Sequence, residues 1–373
     1  MVKKFIIKLI IFSSPFALAI FVELFILPID FFCFRVWEAV NVQGTSINTG
    51  QFYPDMEIEK QEEGWLAHHT KYAVKNDVKW ITDIYGYRKK NTDQKAEIVL
   101  IGDSFMAGDA LTQKDMLSEV LEEQLNVCVY PLAPANIKTF LNDPRFSEYL
   151  PRIVILGATN LSHLRSPKGN NTKKTAIKIR RRVFKLGFVR TLDTLWNRLW
   201  KANILQYYRA RLTDAMGLGF VAERGLDIKP GVPMFFRPSF VEYDDAPVKS
   251  IVAALKRYDK AFDEKGIRFI VLPLPSKESI YYRYRKNPVR TQFMSELING
   301  LKKAGVETVD TQTAFEDELK KENPKLLFHS DDSHWTGDAV KIAADLLVKL
   351  IREPEQKEPP DSQNDIRSQT AVK

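Results

Sequence analysis

Apolar positions follow three patterns along the chain. The first is a single long run from Phe5 to Ile29, broken only by Lys8, Glu23 and a few small residues and prolines. At 1.5 Å per residue this run can span the roughly 30 Å hydrocarbon layer of a membrane. The second is a set of short, continuous, mostly β-branched runs: Glu97–Ile101, Val127–Leu132, Arg152–Gly157, Ile267–Leu272 and Val306–Val309. Such runs fit strands buried on both faces. The third is helical spacing between those runs. Lys114–Leu125 carries Met116, Leu117, Val120, Leu121 and Leu125 on one side, and Val248–Lys265, Arg290–Ala304 and Ala339–Leu350 behave alike. Gly266 stands where a helix C-cap is expected. Strands alternating with helices predict an α/β fold with a central parallel sheet of about five strands, covered on both faces.

The charges around the first run predict its orientation. Lys3, Lys4 and Lys8 come early, whereas Glu23 and Asp30 come late. Positive flanks stay in the cytoplasm, so the chain from about residue 35 onward is expected outside a cytoplasmic (inner) membrane, in the periplasm or its equivalent. A cleaved signal peptide ending near Ala17-Leu18-Ala19 and a buried core helix are the rival readings. The expected organisation is an anchor at 1–34, a lead-in segment at 35–95, an α/β domain at 96–352 and a disordered tail at 353–373. The tail is proline-rich and has no aromatic residue.

The alternation of strands and helices breaks after Leu164. Residues 166–245 read as an insertion between the third and fourth strands, with a helical part and a Pro/Gly-rich part. Between Lys168 and Lys201 there are eleven Lys or Arg and one acid, Asp193, mixed with Ile177, Val183, Phe184, Phe188, Leu192, Leu195, Trp196 and Leu199. This segment carries the whole of the net charge of +8. The excess is thus local, and nucleic acid is not expected as a partner. The segment is read either as an amphipathic surface for anionic lipid or polymer, or as a solvated helical hairpin capping the domain. Two cysteines in 373 residues exclude a disulfide scaffold and a Cys-rich metal site. No metal or cofactor is expected.

The candidate chemistry begins in Ile98-Val-Leu-Ile-Gly-Asp-Ser-Phe105. A buried strand ends at Gly102, and Ser104 follows in a turn at the carboxyl edge of the sheet, where α/β folds bind ligands. A serine nucleophile needs a base, and the base needs an orienting acid. Of five histidines, His334 stands in Ser330-Asp-Asp-Ser-His-Trp-Thr-Gly-Asp338, with Asp331 and Asp332 just before it. Either carboxylate could reach the ring from a tight loop. The other four histidines are read as structural.

These residues resemble the SGNH (GDSL-type) hydrolase superfamily, whose motifs run Ser, Gly, Asn, then Asp and His. The resemblance implies a three-layer, flavodoxin-like fold. Ser104 matches the nucleophile, and Asp331 with His334 matches the D-x-x-H pattern. Asn160, in Gly157-Ala-Thr-Asn160, matches the oxyanion asparagine, and Ala133 stands where a glycine N–H usually serves the oxyanion. A narrower resemblance is to the alginate O-acetyltransferase group. It is carried by Pro275-Ser-Lys277-Glu-Ser-Ile280-Tyr281 and by Asp332-Ser-His334-Trp335, and it makes Asp332 the orienting acid. In that group the D-x-H-W loop precedes the serine block, whereas here Ser104 comes first.

The resemblance implies a Ser-His-Asp acyl-enzyme catalyst that acts on a cell-surface or exopolysaccharide. A membrane acyltransferase partner would supply the acyl group. Trp335, Lys277 and Tyr281 are expected to face the polymer, the aromatics stacking on sugar rings and the cation meeting an anionic chain. An esterase or deacetylase with the same triad, and a non-catalytic polysaccharide-assembly protein, are the alternatives.

Overall fold

The computed structural model describes residues 2–353, apart from 43–49, 69, 91–94, 159–182, 184–185, 201–206, 210, 214–215, 217–221 and 238–247. Among the described residues the strands are β1 (Glu57–Glu63), β2 (Lys75–Ile81), β3 (Ile98–Gly102), β4 (Val129–Leu132), β5 (Ile153–Ala158), β6 (Glu223–Lys229), β7 (Val232–Phe236), β8 (Arg268–Pro273) and β9 (Glu307–Thr308). The five runs singled out in the sequence are β3, β4, β5, β8 and β9. They form one parallel sheet in the order β4-β3-β5-β8-β9. Renumbered within the sheet, that order is 2-1-3-4-5, the flavodoxin-like arrangement, whose ligands bind beyond the carboxyl ends of the strands.

Each central strand feeds two cores because alternate side chains point to opposite faces. Ile98, Leu100, Ile153, Ile155, Ile270 and Leu272 enter one core with Leu121, Phe315 and Leu347, from helices Leu117–Leu125, Thr311–Glu318 and Gly337–Arg352. Val99, Ile101, Val154, Leu156, Phe269 and Val271 enter the other. There they meet Leu255 and Leu297, from helices Val248–Asp263 and Phe293–Lys303. Burial on both faces is why these strands read as unbroken apolar runs rather than as alternating ones.

Two antiparallel hairpins fall outside the sequence expectation, β1 with β2 and β6 with β7. The first belongs to the lead-in segment, which packs into the first core through Phe52, Trp80 and Val78. Arg88 fastens it to the loop after Ser104. Its guanidinium lies 3.8 Å from the Trp80 ring centroid and donates to the carbonyls of Lys79, Gly108 and Leu111.

The N-terminal helix, Val2–Phe21, continues as a π-helical turn, Val22–Ile26. The two make one apolar stretch of 25 residues, long enough to cross a membrane. Phe5, Ile10, Phe12 and Phe16 on it are all exposed. Described parts of residues 166–245 include helix Gly187–Trp200 and the β6–β7 hairpin. Beyond Glu353, the expected disordered tail lies outside the described residues.

Candidate active site

Glycine fixes where Ser104 stands. Gly102 and Gly157 are register partners at the carboxyl ends of β3 and β5. A Cβ on Gly102 would lie 2.0 Å from the Gly157 carbonyl oxygen, and one on Gly157 would lie 2.3 Å from Met106 Sδ. Only two bare positions let the turn after β3 fold flat over the sheet edge with Met106 beneath it. Asp103 caps that turn by accepting the Phe105 N–H at 3.0 Å, and Asp109 N–H closes it onto the Ser104 carbonyl at 3.0 Å.

His334 comes from a loop at the same edge. An antiparallel bridge between Phe328 and Trp335 closes the loop, and His329 N–H donates to the His334 carbonyl. Ser104 Oγ is 2.8 Å from His334 Nε2, and His334 Nδ1 is 2.6 Å from Asp332 Oδ1. The same Asp332 oxygen accepts the backbone N–H of His334 at 2.9 Å. Hydroxyl, imidazole and carboxylate are therefore in line.

The sequence left two acids open, and the structure separates them. Asp331 turns away from the ring, and its Oδ2 accepts the backbone N–H groups of Gly64 and Val74 at 3.0 and 2.7 Å. A Cβ on Gly64 would lie 2.5 Å from Asp331 Cγ, so this approach also needs a bare backbone. Asp331 is a clasp to the lead-in segment.

Two residues at the site were missed by sequence reasoning. Asp109 Oδ2 lies 3.6 Å from His334 Nε2, on the Ser104 side of the ring. Arg35 donates to Asp109 Oδ2 at 3.2 Å and to Asp332 Oδ2 at 3.4 Å. Trp65 N–H also donates to Asp332 Oδ2, at 3.1 Å. Asp109 follows Ser104 by one tight turn, and that proximity was the one available signal. Arg35 stands alone after the apolar run, with no motif around it to mark it.

The charges are arranged to favour an imidazolium. With His334 neutral, Asp109, Asp332 and Arg35 sum to one negative charge, and a proton on His334 makes the group neutral. All four side chains are buried, so little solvent screens them. Burial lowers the His334 pKa, but Asp109 and Asp332 outweigh it and the net shift is upward. Burial opposes ionisation of Asp332, yet His334 and Arg35 hold its carboxyl far below the usual range. Nearby, Glu62 accepts the Val36 N–H at 3.0 Å, and burial pushes its carboxyl up to about 7.

The three residues expected to meet a polymer are enclosed instead. Lys277 is fully buried, and its Nζ donates to the carbonyls of His329, Ser330 and Asp332 at 2.7, 2.9 and 3.0 Å. It is a strut beneath the acid–histidine loop. Burial pushes its ammonium down to about 7, while three carbonyls match the three N–H groups of the protonated form. Tyr281 is 1% exposed, and its hydroxyl accepts the Leu327 N–H at 3.1 Å. Trp335 is 3% exposed and packs edge-on against Phe105 and Phe315. Aromatic and cationic side chains near a strand end suit a ligand-facing role, but closing this loop needs them inside.

Ala133 lies at the end of β4, beside β3, and is fully buried. Asn160 lies outside the described residues. A cleft of about 540 Å³ lined by Ile98, Leu125, Ile153 and Gly266 opens at the amino ends of the strands, away from Ser104.

Residues 234–372 match the family model described as SGNH hydrolase-like domain, acetyltransferase AlgX. The chain is thus similar to the SGNH superfamily on its alginate acetyltransferase side. The matched stretch includes Asp332 and His334, and Ser104 lies before it. That likeness supports an acyl-transfer or esterase role. No curated protein matches the chain in sequence. Solved structures resemble it, among them the following three. An acetyl xylan esterase, AlAXEase, is 9% identical, with 68% of this chain and 99% of that one covered and a TM-score of 0.34. The acetylxylan esterase Axe2 from Geobacillus stearothermophilus is 13% identical, with 71% and 97% covered and a TM-score of 0.32. A GDSL-like lipase from Bacteroides thetaiotaomicron is 12% identical, with 70% and 91% covered and a TM-score of 0.32.

Proposed function

We propose that the protein is a serine acyl-enzyme catalyst, held by its N-terminal helix at the outer face of a cytoplasmic membrane, that moves an acetyl group onto a hydroxyl of a cell-surface or exopolysaccharide. The observation that carries the chemistry is the line Ser104 Oγ, His334 Nε2 and Nδ1, Asp332 Oδ1, at 2.8 and 2.6 Å. Ser104 Oγ attacks the carbonyl carbon of a donor ester while His334 Nε2 takes its proton. The tetrahedral intermediate collapses, the donor alcohol leaves with the proton from His334, and an acetyl-Ser104 ester is left. A sugar hydroxyl then attacks that ester, gives its proton to His334, and the proton returns to Ser104 as the product departs.

Asp332 orients the imidazole throughout, and Asp109 offsets the charge it gains. The backbone N–H groups of Ser104 and Ala133 and the Asn160 amide are the proposed oxyanion donors. A membrane acyltransferase partner is the proposed acyl source. Transfer is supported by the acetyltransferase family match. Ester hydrolysis is the second reading, favoured by the enclosure of Lys277, Tyr281 and Trp335, which removes the expected acceptor surface.

The test is to incubate full-length protein in nanodiscs with a small activated acetyl ester, with and without added oligosaccharide, and to follow both products by mass spectrometry. Acetylated oligosaccharide that vanishes in the Ser104→Ala variant supports transfer. Free acetate alone, also lost in that variant, replaces transfer with hydrolysis. Neither product above the Ser104→Ala background overturns both.

A further inference from the structure

The insertion helix Gly187–Trp200 is inverted relative to a surface helix of a water-soluble domain. Its protein-facing side is polar. Asn197 is fully buried, Arg190 pairs with Asp55 at 2.8 Å, and Arg198 Nη2 donates to the carbonyls of Glu23 and Leu27 at 2.9 Å each. Its outward side is apolar. Phe188 is 66% exposed, Leu192 60% and Trp196 48%, and their spacing of four residues lines them up in one stripe. A helix bordered by water carries the opposite arrangement.

What borders the stripe follows from where the helix is attached. Glu23 and Leu27 lie at the end of the 25-residue apolar stretch. At 1.5 Å per residue that stretch exceeds a hydrocarbon layer of roughly 30 Å by a turn or more. Arg198 therefore grips the N-terminal helix where it emerges into the headgroup region. A second contact joins the same two regions, with Phe32 and Tyr207 ring centroids 5.5 Å apart. Tyr208 beside it is 64% exposed, an aromatic of the kind that gathers at membrane interfaces.

We infer that helix Gly187–Trp200 lies in the outer interface of the bilayer that the N-terminal helix spans, with Phe188, Leu192 and Trp196 in the acyl-chain boundary. In sequence the stretch from Lys168 to Lys201 that contains this helix carries ten cationic charges in excess, a composition that suits anionic headgroups. The catalytic domain then meets the membrane at two points, and its orientation is fixed rather than left to a single tether. The inference rests on the anchor reading of the N-terminal helix.

The experiment uses the full chain in nanodiscs of phosphatidylethanolamine and phosphatidylglycerol. An environment-sensitive fluorescent amino acid replaces Leu192, Ile10 or Lys320 in turn, and quenching is read with lipid-borne spin labels and with aqueous iodide. Lipid quenching at positions 192 and 10 several-fold above that at 320 is the expected result. Quenching at 10 but not at 192 keeps the anchor and overturns the interfacial helix. Position 192 shielded from iodide yet untouched by lipid labels means that protein covers the stripe, which also overturns it. No lipid quenching at 10 removes the anchor reading, and the inference falls with it.

Discussion

Asp331 and Asp332 are neighbours in the chain, yet their carboxylates serve opposite partners. Asp332 receives the His334 ring, and Asp331 receives two backbone amides of the lead-in segment. Replacing each with asparagine separates the two roles. Asp332→Asn should lower kcat on a small acetyl ester by about 10⁴, the scale of losing a triad acid. Asp331→Asn should keep activity within about tenfold and lower the melting temperature instead, because what it loses is a clasp. Steady-state kinetics and calorimetry on both variants check this, and equal losses of activity would place the orienting acid elsewhere.

Arg35 and Asp109 should move the pH profile in opposite directions. Asp109 raises the His334 pKa and Arg35 lowers it. Catalysis needs neutral His334, so the acid limb of kcat/KM follows that pKa. Asp109→Asn should shift the limb to lower pH, and Arg35→Met should shift it to higher pH. Arg35→Met should also cost roughly 3–5 kcal/mol in stability, because it leaves two buried carboxylates without their cation. Arg35→Lys should restore part of both effects. Profiles that do not move mean that neither group is felt at the imidazole.

Lys277→Met should destabilise the fold by roughly 2–5 kcal/mol, because three loop carbonyls lose their donor. Polymer acetylation and small-ester hydrolysis should then fall together, since the whole acid–histidine loop loosens. A selective loss of polymer transfer would return Lys277 to an acceptor role.

Glu62 gives a stability signal of defined sign. Its carboxyl titrates near 4.5 when unfolded and near 7 when folded. Between those values the folded state holds a proton that the unfolded state has lost, so stability falls as pH rises, and the loss is complete above about 7. Glu62→Gln cannot titrate and can still accept the Val36 N–H. Relative to that variant, the native protein should lose roughly 3 kcal/mol between pH 4.5 and 8, at about 1.4 kcal/mol per unit. Denaturant titrations across that range check it, and parallel curves would contradict it.

The central sheet was legible because burial on two faces is written locally. Ile98–Ile101 and Ile153–Leu156 show it as unbroken apolar runs, and the helical stripes between them show one-sided burial. The β1–β2 hairpin escaped for the opposite reason. β1 is Glu-Ile-Glu-Lys-Gln-Glu-Glu, and its lone Ile58 gives no run to read. The β7 run Val-Pro-Met-Phe-Phe is apolar but carries a proline that reads as a loop.

The sequence by itself determined the apolar N-terminal stretch, the five parallel strands and Ser104 at the end of the first of them. Each is a property of spacing within a few residues, where side-chain direction repeats with the backbone. Only the tertiary structure chose Asp332 over Asp331, because the choice depends on backbone amides of residues 64, 65 and 74, more than 250 positions away. It alone brought Arg35 to Asp332 across 297 positions and turned Lys277 from a surface cation into a buried strut. A charged side chain takes its role from the partners that surround it. Those partners come from elements that meet only when the chain has folded.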